Sequence, residues 1–154
     1  MRRFLLLSVL AAGALLAAMP ASAEVIATIE LSAQKMIVRL HGVVVHEWPI
    51  SSGRGSYRTP VGTFRPQSMR VRHFSSLFNN APMPYSIFFH GHYAVHGTTD
   101  IKNLGRPASH GCVRLHPANA RVLFELIKKQ GPANAQIVVT ASTSPLANLP
   151  RITR

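Results

Sequence analysis

Acidic residues are scarce in this 154-residue chain, which carries five of them against 17 lysines and arginines. The formal net charge is therefore +12, and Asp100 is the only aspartate. So basic a protein favours polyanions, namely nucleic acid, anionic lipid or an acidic wall polymer, and charge alone does not choose among them. Hydrophobic residues make up 47% of the chain and charged residues 14%, which excludes a disordered composition and suits one globular domain.

The first 23 residues have the pattern of a secretory signal peptide. Arg2 and Arg3 precede an apolar run from Phe4 to Met19, and residues 21–23 form an A-x-A cleavage site. The run is short for a membrane anchor, so we expect cleavage and no stable membrane span afterwards. No cysteine lies at the cleavage site, which excludes a lipoprotein anchor. We therefore expect an exported protein of the periplasm or cell envelope that meets no nucleic acid and has a net charge of +10.

Cysteine is scarcer still, because Cys112 is the only one. A lone cysteine excludes an intramolecular disulfide, and an unpaired thiol in an exported protein indicates reactivity. His96 lies sixteen positions earlier, and Gly105 and Pro107 between them suit a loop that brings the two together. An imidazole can take the proton of a thiol, and Gly111 would let main-chain N–H groups approach an oxyanion. These residues predict a Cys/His acyl-transfer centre.

The remaining pattern is mainly that of strands. β-branched and alternating segments predict strands at residues 25–29, 35–40, 43–50, 85–89, 93–96 and 136–140, with the first two forming a hairpin. Residues 51–65 and 69–84 are predicted as loops. One helix is predicted at 117–130, since Pro117 suits its first position and Gly131 its end. Its apolar stripe is predicted to comprise Val122, Leu123, Leu126 and Ile127.

Three spaced motifs resemble a known family. H-G-T at 96–98, L-G-x-P-A at 104–108 and S-H-G-C-V-R-L at 109–115 together resemble the signature of the L,D-transpeptidase catalytic domain, which cross-links bacterial peptidoglycan. The S-x-G and T-P-x-G-T-F segments within residues 51–64 also occur in that family, largely as scaffold. The resemblance covers residues 24–140 and implies a mainly β sandwich of mixed sheets with one principal helix. A Ser/Pro/Asn-rich tail at 141–154 is expected to be flexible.

The resemblance implies catalytic roles for four matching residues. Cys112 would be the nucleophile and His96 the base that activates it. The main-chain carbonyl of Gly97 would orient His96, in place of the carboxylate of a Ser/His/Asp triad. Main-chain N–H groups around Gly111 and Cys112 would form the oxyanion hole. No cofactor or metal is implied.

Three further positions are implied to support the substrate or the loop. His110 would maintain loop geometry, and Ser109 would cap or brace the loop on the substrate side. Arg114 would hold a substrate carboxylate through paired N–H donors, since so few acidic residues are present to pair with it. Residues 69–84 would border the cleft and act as a lid.

The implied reaction is a two-step acyl transfer on peptidoglycan stem peptides. Cys112 would attack the L-centred third residue of a tetrapeptide stem and release D-alanine, and the thioester would pass to an amine for a 3→3 cross-link. Water as acceptor would give an L,D-carboxypeptidase or endopeptidase, and a lysine of an envelope protein would give an anchoring enzyme. Carbapenems would acylate the same thiol. A non-catalytic, basic wall-binding module is the alternative from another class.

A metal centre is a further alternative. If residues 90–96 formed one strand, His90, His92 and His96 would share a face and, with Cys112, could ligate zinc. A turn at Gly91 would instead point His90 and His92 outwards.

Overall fold

The structure, a computed structural model, describes residues 23–142, so the predicted signal peptide and nearly all of the predicted tail lie outside the described residues. The described chain contains nine strands and one α-helix, besides two single turns of 3₁₀-helix. In chain order these are β1 (Val25–Glu30), β2 (Lys35–Leu40), β3 (Val43–Pro49), β4 (Gly62–Phe64), β5 (Ser68–Arg70), β6 (Ser86–His90), β7 (Tyr93–Gly97), β8 (Val113–Leu115), α1 (Pro117–Gln130) and β9 (Ala135–Thr140).

The strands form two sheets, one of five strands in the order β3-β2-β1-β9-β4 and one of four in the order β5-β6-β7-β8. Both sheets are mixed, because β1 pairs with β9 and β7 with β8 in parallel while the other pairs are antiparallel. Apolar side chains of both sheets and of α1 share one buried core. The predicted mainly β sandwich with one principal helix is confirmed.

The predicted β1–β2 hairpin is confirmed, with Val25 opposite Leu40 and Glu30 opposite Lys35. The prediction of a loop throughout residues 51–65 is wrong at β4, which pairs with β9 at the edge of the five-stranded sheet. The predicted loop at 69–84 likewise begins within β5. Both strands have three residues, and pairing with a distant segment rather than local composition creates them.

The helix has the predicted bounds. Pro117 occupies its first turn, His116 caps it by accepting a hydrogen bond from the Ala118 N–H at 3.2 Å, and Gly131 follows its end. The buried stripe differs from the predicted one, because it consists of Ala120, Leu123, Phe124 and Ile127 while Val122 is exposed. The stripe packs mainly on β7 and so supports the strand that carries His96. Within residues 23–142, no helix is long and apolar enough to cross a membrane.

Candidate active site

A cleft of about 440 Å³ opens where the ends of β7 and β8 meet the surrounding loops. The predicted residues His96, Ser109, His110, Cys112 and Arg114 all line it. Side chains of the 73–83 segment line the facing wall, and Thr98–Asp100 line one end. The fold thus brings into one cavity residues that lie far apart in the sequence.

His96 lies near the end of β7 and is only 6% exposed. Its Nδ1 lies 2.7 Å from the carbonyl oxygen of Gly97. Because that oxygen can only accept, Nδ1 carries the proton, and Nε2 of the neutral ring is left with a lone pair. The tautomer is therefore the one that a general base requires.

Burial keeps the His96 imidazole neutral. Desolvation lowers the pKa of His96 from 6.5 to about 4, against the opposing effect of the Gly97 carbonyl and with smaller contributions from the charges of Arg114 and His73. Such a ring is unprotonated at neutral pH. Nε2 can accept a proton, but burial disfavours the protonated imidazolium in the resting protein.

Cys112 is partly buried immediately before β8. Burial raises the pKa of the Cys112 thiol, while a hydrogen bond from the main chain of Ala94 and the charge of Arg114 act in the opposite direction. The thiol lies 3.8 Å from the carbonyl oxygen of His92, a contact in which the S–H donates. Both shifts favour a neutral thiol and a neutral imidazole at rest.

The parallel pairing of β7 and β8 places these two side chains together. His96 is opposite Arg114 in the register, and Val95 is opposite Val113. Cys112 immediately precedes β8, the neighbour of the strand that carries His96, and both side chains line the cleft.

Residues 109–112 form a loop, called the nucleophile loop below, which is held by the buried hydroxyl of Ser109. Ser109 is fully buried, and its Oγ accepts from the Gly111 N–H at 3.0 Å and donates to the Cys112 carbonyl at 2.6 Å. These contacts account for the predicted bracing role and direct the hydroxyl into the loop rather than toward a substrate. The Gly111 N–H, predicted to contribute to an oxyanion hole, donates to Ser109 Oγ in this structure. The Cys112 N–H is the remaining candidate of the two.

Both the backbone conformation at position 111 and the lack of space around it require glycine. Its φ is +113°, and a Cβ there would come within 2.5 Å of Cε1 of Tyr93. Gly97 is enclosed similarly, since a Cβ would approach Pro84 and Pro117 to 3.0 Å. Larger residues at either position would displace the nucleophile loop or the carbonyl that orients His96.

The 51–59 segment, which the resemblance implied to be largely scaffold, forms hydrogen bonds to the nucleophile loop and to the start of β8. Ser51 exchanges two main-chain hydrogen bonds with Arg114, and Ser52 O accepts from the Ser109 N–H at 2.9 Å. Thr59 is buried, accepting from the Gly53 N–H and donating to the Gly111 carbonyl at 2.8 Å. The T-P-x-G motif signalled the importance of this segment, but its partner across 52 positions could not be read from the sequence.

His110 connects the nucleophile loop to the facing wall. Its ring stacks on Phe78 with centroids 4.3 Å apart and meets the edge of Tyr57 at 4.6 Å. Desolvation, followed by the charges of Arg54 and Arg114, lowers the pKa of His110. Phe78 was not singled out from the sequence, although it lies within the predicted lid.

Arg114 has the acidic partner that the scarcity of carboxylates had argued against. Its Nη1 lies 3.5 Å from Oδ2 of Asp100, and both side chains line the cleft. The Arg114 charge also acts to lower the pKa of both Cys112 and His96. Asp100 was missed as a site residue because it lies in the spacer between the motifs.

The zinc hypothesis required one continuous strand, and that strand does not form. β6 ends at His90 and β7 begins at Tyr93, with a turn at Gly91–His92 between them. His90 and His92 are both exposed, and only His92 lines the cleft. Among residues 23–142, no group of three or more His, Cys, Asp or Glu side chains is arranged to hold a metal ion.

Comparison with known proteins agrees with this geometry. A family model described as the L,D-transpeptidase catalytic domain matches residues 24–139, which is most of the chain. The chain belongs to this family. Among curated relatives, YkuD of Bacillus subtilis (strain 168), a candidate L,D-transpeptidase, is 25% identical over 103 residues, covering 64% of this chain and 58% of the relative.

Solved L,D-transpeptidases share the fold. That of Mycobacterium smegmatis is 23% identical with a TM-score of 0.68, over 77% of this chain and 59% of its own. That of Xylanimonas cellulosilytica is 30% identical with a TM-score of 0.66, over 77% and 61%. LdtMt1, solved in complex with imipenem, is 24% identical with a TM-score of 0.68, over 76% and 59%. The L,D-transpeptidase domain described above therefore spans about three fifths of the length of these relatives.

Proposed function

We propose that this member of the L,D-transpeptidase family is a cysteine acyltransferase that acts on peptidoglycan tetrapeptide stems. The observation that carries the proposal is the arrangement of His96, whose Nδ1–H is fixed by the Gly97 carbonyl and whose ring lines the same cleft as the Cys112 thiol. A base in the correct tautomer beside a single nucleophile is what acyl transfer needs. A wall-binding module has no use for either.

In the first half-reaction, the Cys112 sulfur attacks the carbonyl of the L-centred third stem residue. Because thiol and imidazole are both neutral at rest, the thiol proton passes to Nε2 of His96 as the C–S bond forms. The tetrahedral oxyanion is stabilised by main-chain donors, with the Cys112 N–H as the nearest candidate. His96 then returns its proton to the departing nitrogen, the C–N bond breaks, and D-alanine leaves.

In the second half-reaction, an amine attacks the thioester. His96 removes a proton from the attacking nitrogen, the C–S bond breaks, and the proton restores the Cys112 thiol. An amine of another stem would give a 3→3 cross-link, and a lysine of an envelope protein would give an anchored protein. Water in the same position would give a carboxypeptidase, which is the alternative that uses the same residues.

Charge and family membership support the cell wall as the place of action. The chain is strongly basic, and family members act on wall polymers, so an acidic peptidoglycan surface would attract it. Export through the predicted signal peptide would bring the protein to the periplasm or envelope. The complex of LdtMt1 with imipenem makes a carbapenem the natural probe of the Cys112 thiol.

The decisive experiment is turnover of a tetrapeptide stem that ends in D-alanine. We expect D-alanine release together with a thioester adduct in the intact mass of the protein. Adding a second stem, a lysine peptide or neither then identifies the acceptor from the products. A folded protein that releases no D-alanine and forms no adduct would contradict the proposal.

The segment from Ser75 to Asn80 is proposed as a lid over this cleft. Four of its residues line the cavity, and Phe78 stacks on His110. Deleting the six residues should raise the KM for the stem peptide by about tenfold, since apolar contacts around the bound substrate are lost, with a smaller change in kcat. Val71→Ala, an exposed apolar change outside the cleft lining, is the control. A folded deletion variant with the wild-type KM would reject the lid.

A further inference from the structure

Gln34 is a buried polar residue in the turn between β1 and β2, and it does not line the cleft. Its φ is +47°, a left-handed conformation that is uncommon for residues other than glycine. Only 6% of the residue is exposed, so its side-chain amide must find its hydrogen bonds inside the protein. A buried amide in a strained backbone conformation indicates that the surrounding structure requires it there.

The amide of Gln34 makes three hydrogen bonds, and two of them go to Ser52. Nε2 donates to the carbonyl oxygen of Leu31 and to Ser52 Oγ, both at 2.7 Å, and Oε1 accepts from the Ser52 N–H at 3.0 Å. The main-chain carbonyl of Gln34 also accepts from the Ile50 N–H at 2.9 Å. Gln34 thus holds both ends of the 50–52 segment.

The carbonyl groups of the same segment hold the chain that leads into the nucleophile loop. The Ile50 carbonyl accepts from the Gly105 N–H at 2.7 Å. The Ser52 carbonyl accepts from the N–H groups of Ala108 and Ser109 at 3.0 and 2.9 Å. A segment fixed by the turn between β1 and β2 therefore fixes three main-chain N–H groups of the spacer between the motifs.

Ser109 extends this support to the reactive residue. Its Oγ accepts from the Gly111 N–H and donates to the Cys112 carbonyl, so a displacement of Ser109 moves both peptide groups. An unbroken series of hydrogen bonds thus joins the Gln34 amide, through Ser52 and Ser109, to the nucleophile. Ser52 and Ser109 are both buried, so water is not at hand to replace a lost protein partner.

We propose that Gln34 is a positioning residue for acyl transfer, which acts through Ser52 and Ser109 on the placement of the Cys112 thiol and N–H. The inference rests on the proposed function, in which Cys112 is the nucleophile. Gln34 touches neither substrate nor reacting atoms, but it sets how the sulfur faces the attacked carbonyl and how the Cys112 N–H faces the oxyanion. Both matter, because a misplacement of about 1 Å can cost about a hundredfold in rate.

Two substitutions remove the contact in different ways. Gln34→Met keeps the length of the side chain and removes its polar atoms. Gln34→Asn keeps an amide that is one carbon too short to reach Ser52, and asparagine tolerates a positive φ better than glutamine does. Each should slow acylation of Cys112 by meropenem, and the kcat for D-alanine release, by about ten- to hundredfold, with KM within about twofold of wild type. Gln136→Met makes the same change on β9, outside the cleft lining, and should have no effect.

Alkylation by iodoacetamide distinguishes positioning from a loss of stability or a change of access. This reaction needs the thiolate but no oxyanion hole, so in the folded variants its rate should stay within about twofold of wild type. A purely structural role would leave both reactions unchanged in the folded protein. Wild-type acylation rates in folded Gln34→Met and Gln34→Asn would overturn the proposal, and so would equal slowing with both reagents.

Ser52→Ala covers the case in which neither Gln34 variant folds. It keeps every main-chain hydrogen bond of the 50–52 segment and removes only the hydroxyl that Gln34 Nε2 contacts. Acylation by meropenem should slow about threefold, as the loss of one buried hydrogen bond predicts, while alkylation stays unchanged. Equal acylation rates for wild type and folded Ser52→Ala would then refute the positioning role.

Amide hydrogen exchange separates this inference from the proposed reaction. In either Gln34 variant, the Ala108 and Ser109 N–H groups should exchange at least about tenfold faster, while those inside α1 keep their wild-type rates. If the wild-type protein forms no adduct and releases no D-alanine, the proposed reaction fails, and the exchange rates still decide whether Gln34 holds the nucleophile loop. Normal turnover in wild type and both variants, with unchanged exchange, sinks the inference and leaves the reaction.

Discussion

Cys112→Ala should gain no covalent adduct when it is incubated with meropenem, whereas the wild-type protein should gain one. Cys112 is the only cysteine and lies in the cleft beside His96, so no other thiol can be acylated. Turnover of the tetrapeptide stem should fall at least about a thousandfold, because the covalent intermediate cannot form. Intact-mass spectrometry and D-alanine release measure the two effects.

The matched control is binding to isolated wall sacculi, which the alanine variant should retain. Alanine is smaller than cysteine and carries no charge, so the fold and the basic surface are kept. Cys112→Ser should behave almost like Cys112→Ala, since a hydroxyl beside a base with a pKa of about 4 is a poor nucleophile. An adduct that persists in both variants would assign the acylation to another residue and refute the proposed mechanism.

His96→Asn should lower kcat/KM for the stem peptide by about a hundred- to ten-thousandfold, the usual cost of losing a general base. Asparagine can still donate to the Gly97 carbonyl, so the change isolates loss of the Nε2 lone pair. Wild-type activity should persist below pH 6, because the imidazole stays unprotonated down to about pH 4. His41→Asn removes an exposed histidine from the turn after β2 and should leave turnover intact.

His96→Asn should also make the free energy of unfolding less dependent on pH below pH 6.5. The folded-state pKa of His96, about 4, lies below the unfolded value of 6.5, so the unfolded chain binds the proton more readily. Stability is then full above pH 6.5 and is lost as the pH falls toward 4. Wild type should lose about 3 kcal/mol more than His96→Asn over this interval, measured by urea denaturation. Equal losses would place the His96 imidazole in solvent rather than in the core.

The sequence predicted the parts of the molecule that local pattern or motif determines. Helix α1 has its predicted bounds because Pro117 and Gly131 are local signals. His96 and Cys112 were singled out from two motifs, and both line the cleft, while the Gly97 carbonyl contacts Nδ1 of His96. β7 and β8 lie side by side because residues 98–112 return the chain from the end of one strand to the start of the other, and Gly105 within them indicated such a loop.

The parts that were missed depend on distant partners. Gly62–Phe64 has the composition of a turn and becomes a strand only because β9 lies beside it. Thr59 matters because it donates a hydrogen bond to the Gly111 carbonyl, and Asp100 matters because it forms an ion pair with Arg114. The pKa shift of the nucleophile was also hidden, because burial raises the pKa of the Cys112 thiol against the effects of the Ala94 main-chain hydrogen bond and the Arg114 charge. Burial is a property of the packed molecule and has no local signature.

The parallel pairing of β1 with β9 has a consequence for when the protein becomes reactive. The first described strand finds its central neighbour only in residues 135–140, and the Ser51–Ser52 segment grips the nucleophile loop from the far side of the chain. Because a chain is synthesised from its amino end, β1 lacks this neighbour until residues 135–140 have been made. We therefore expect the five-stranded sheet, and the support that the adjoining Ser51–Ser52 segment gives to the loop before Cys112, to form late in folding.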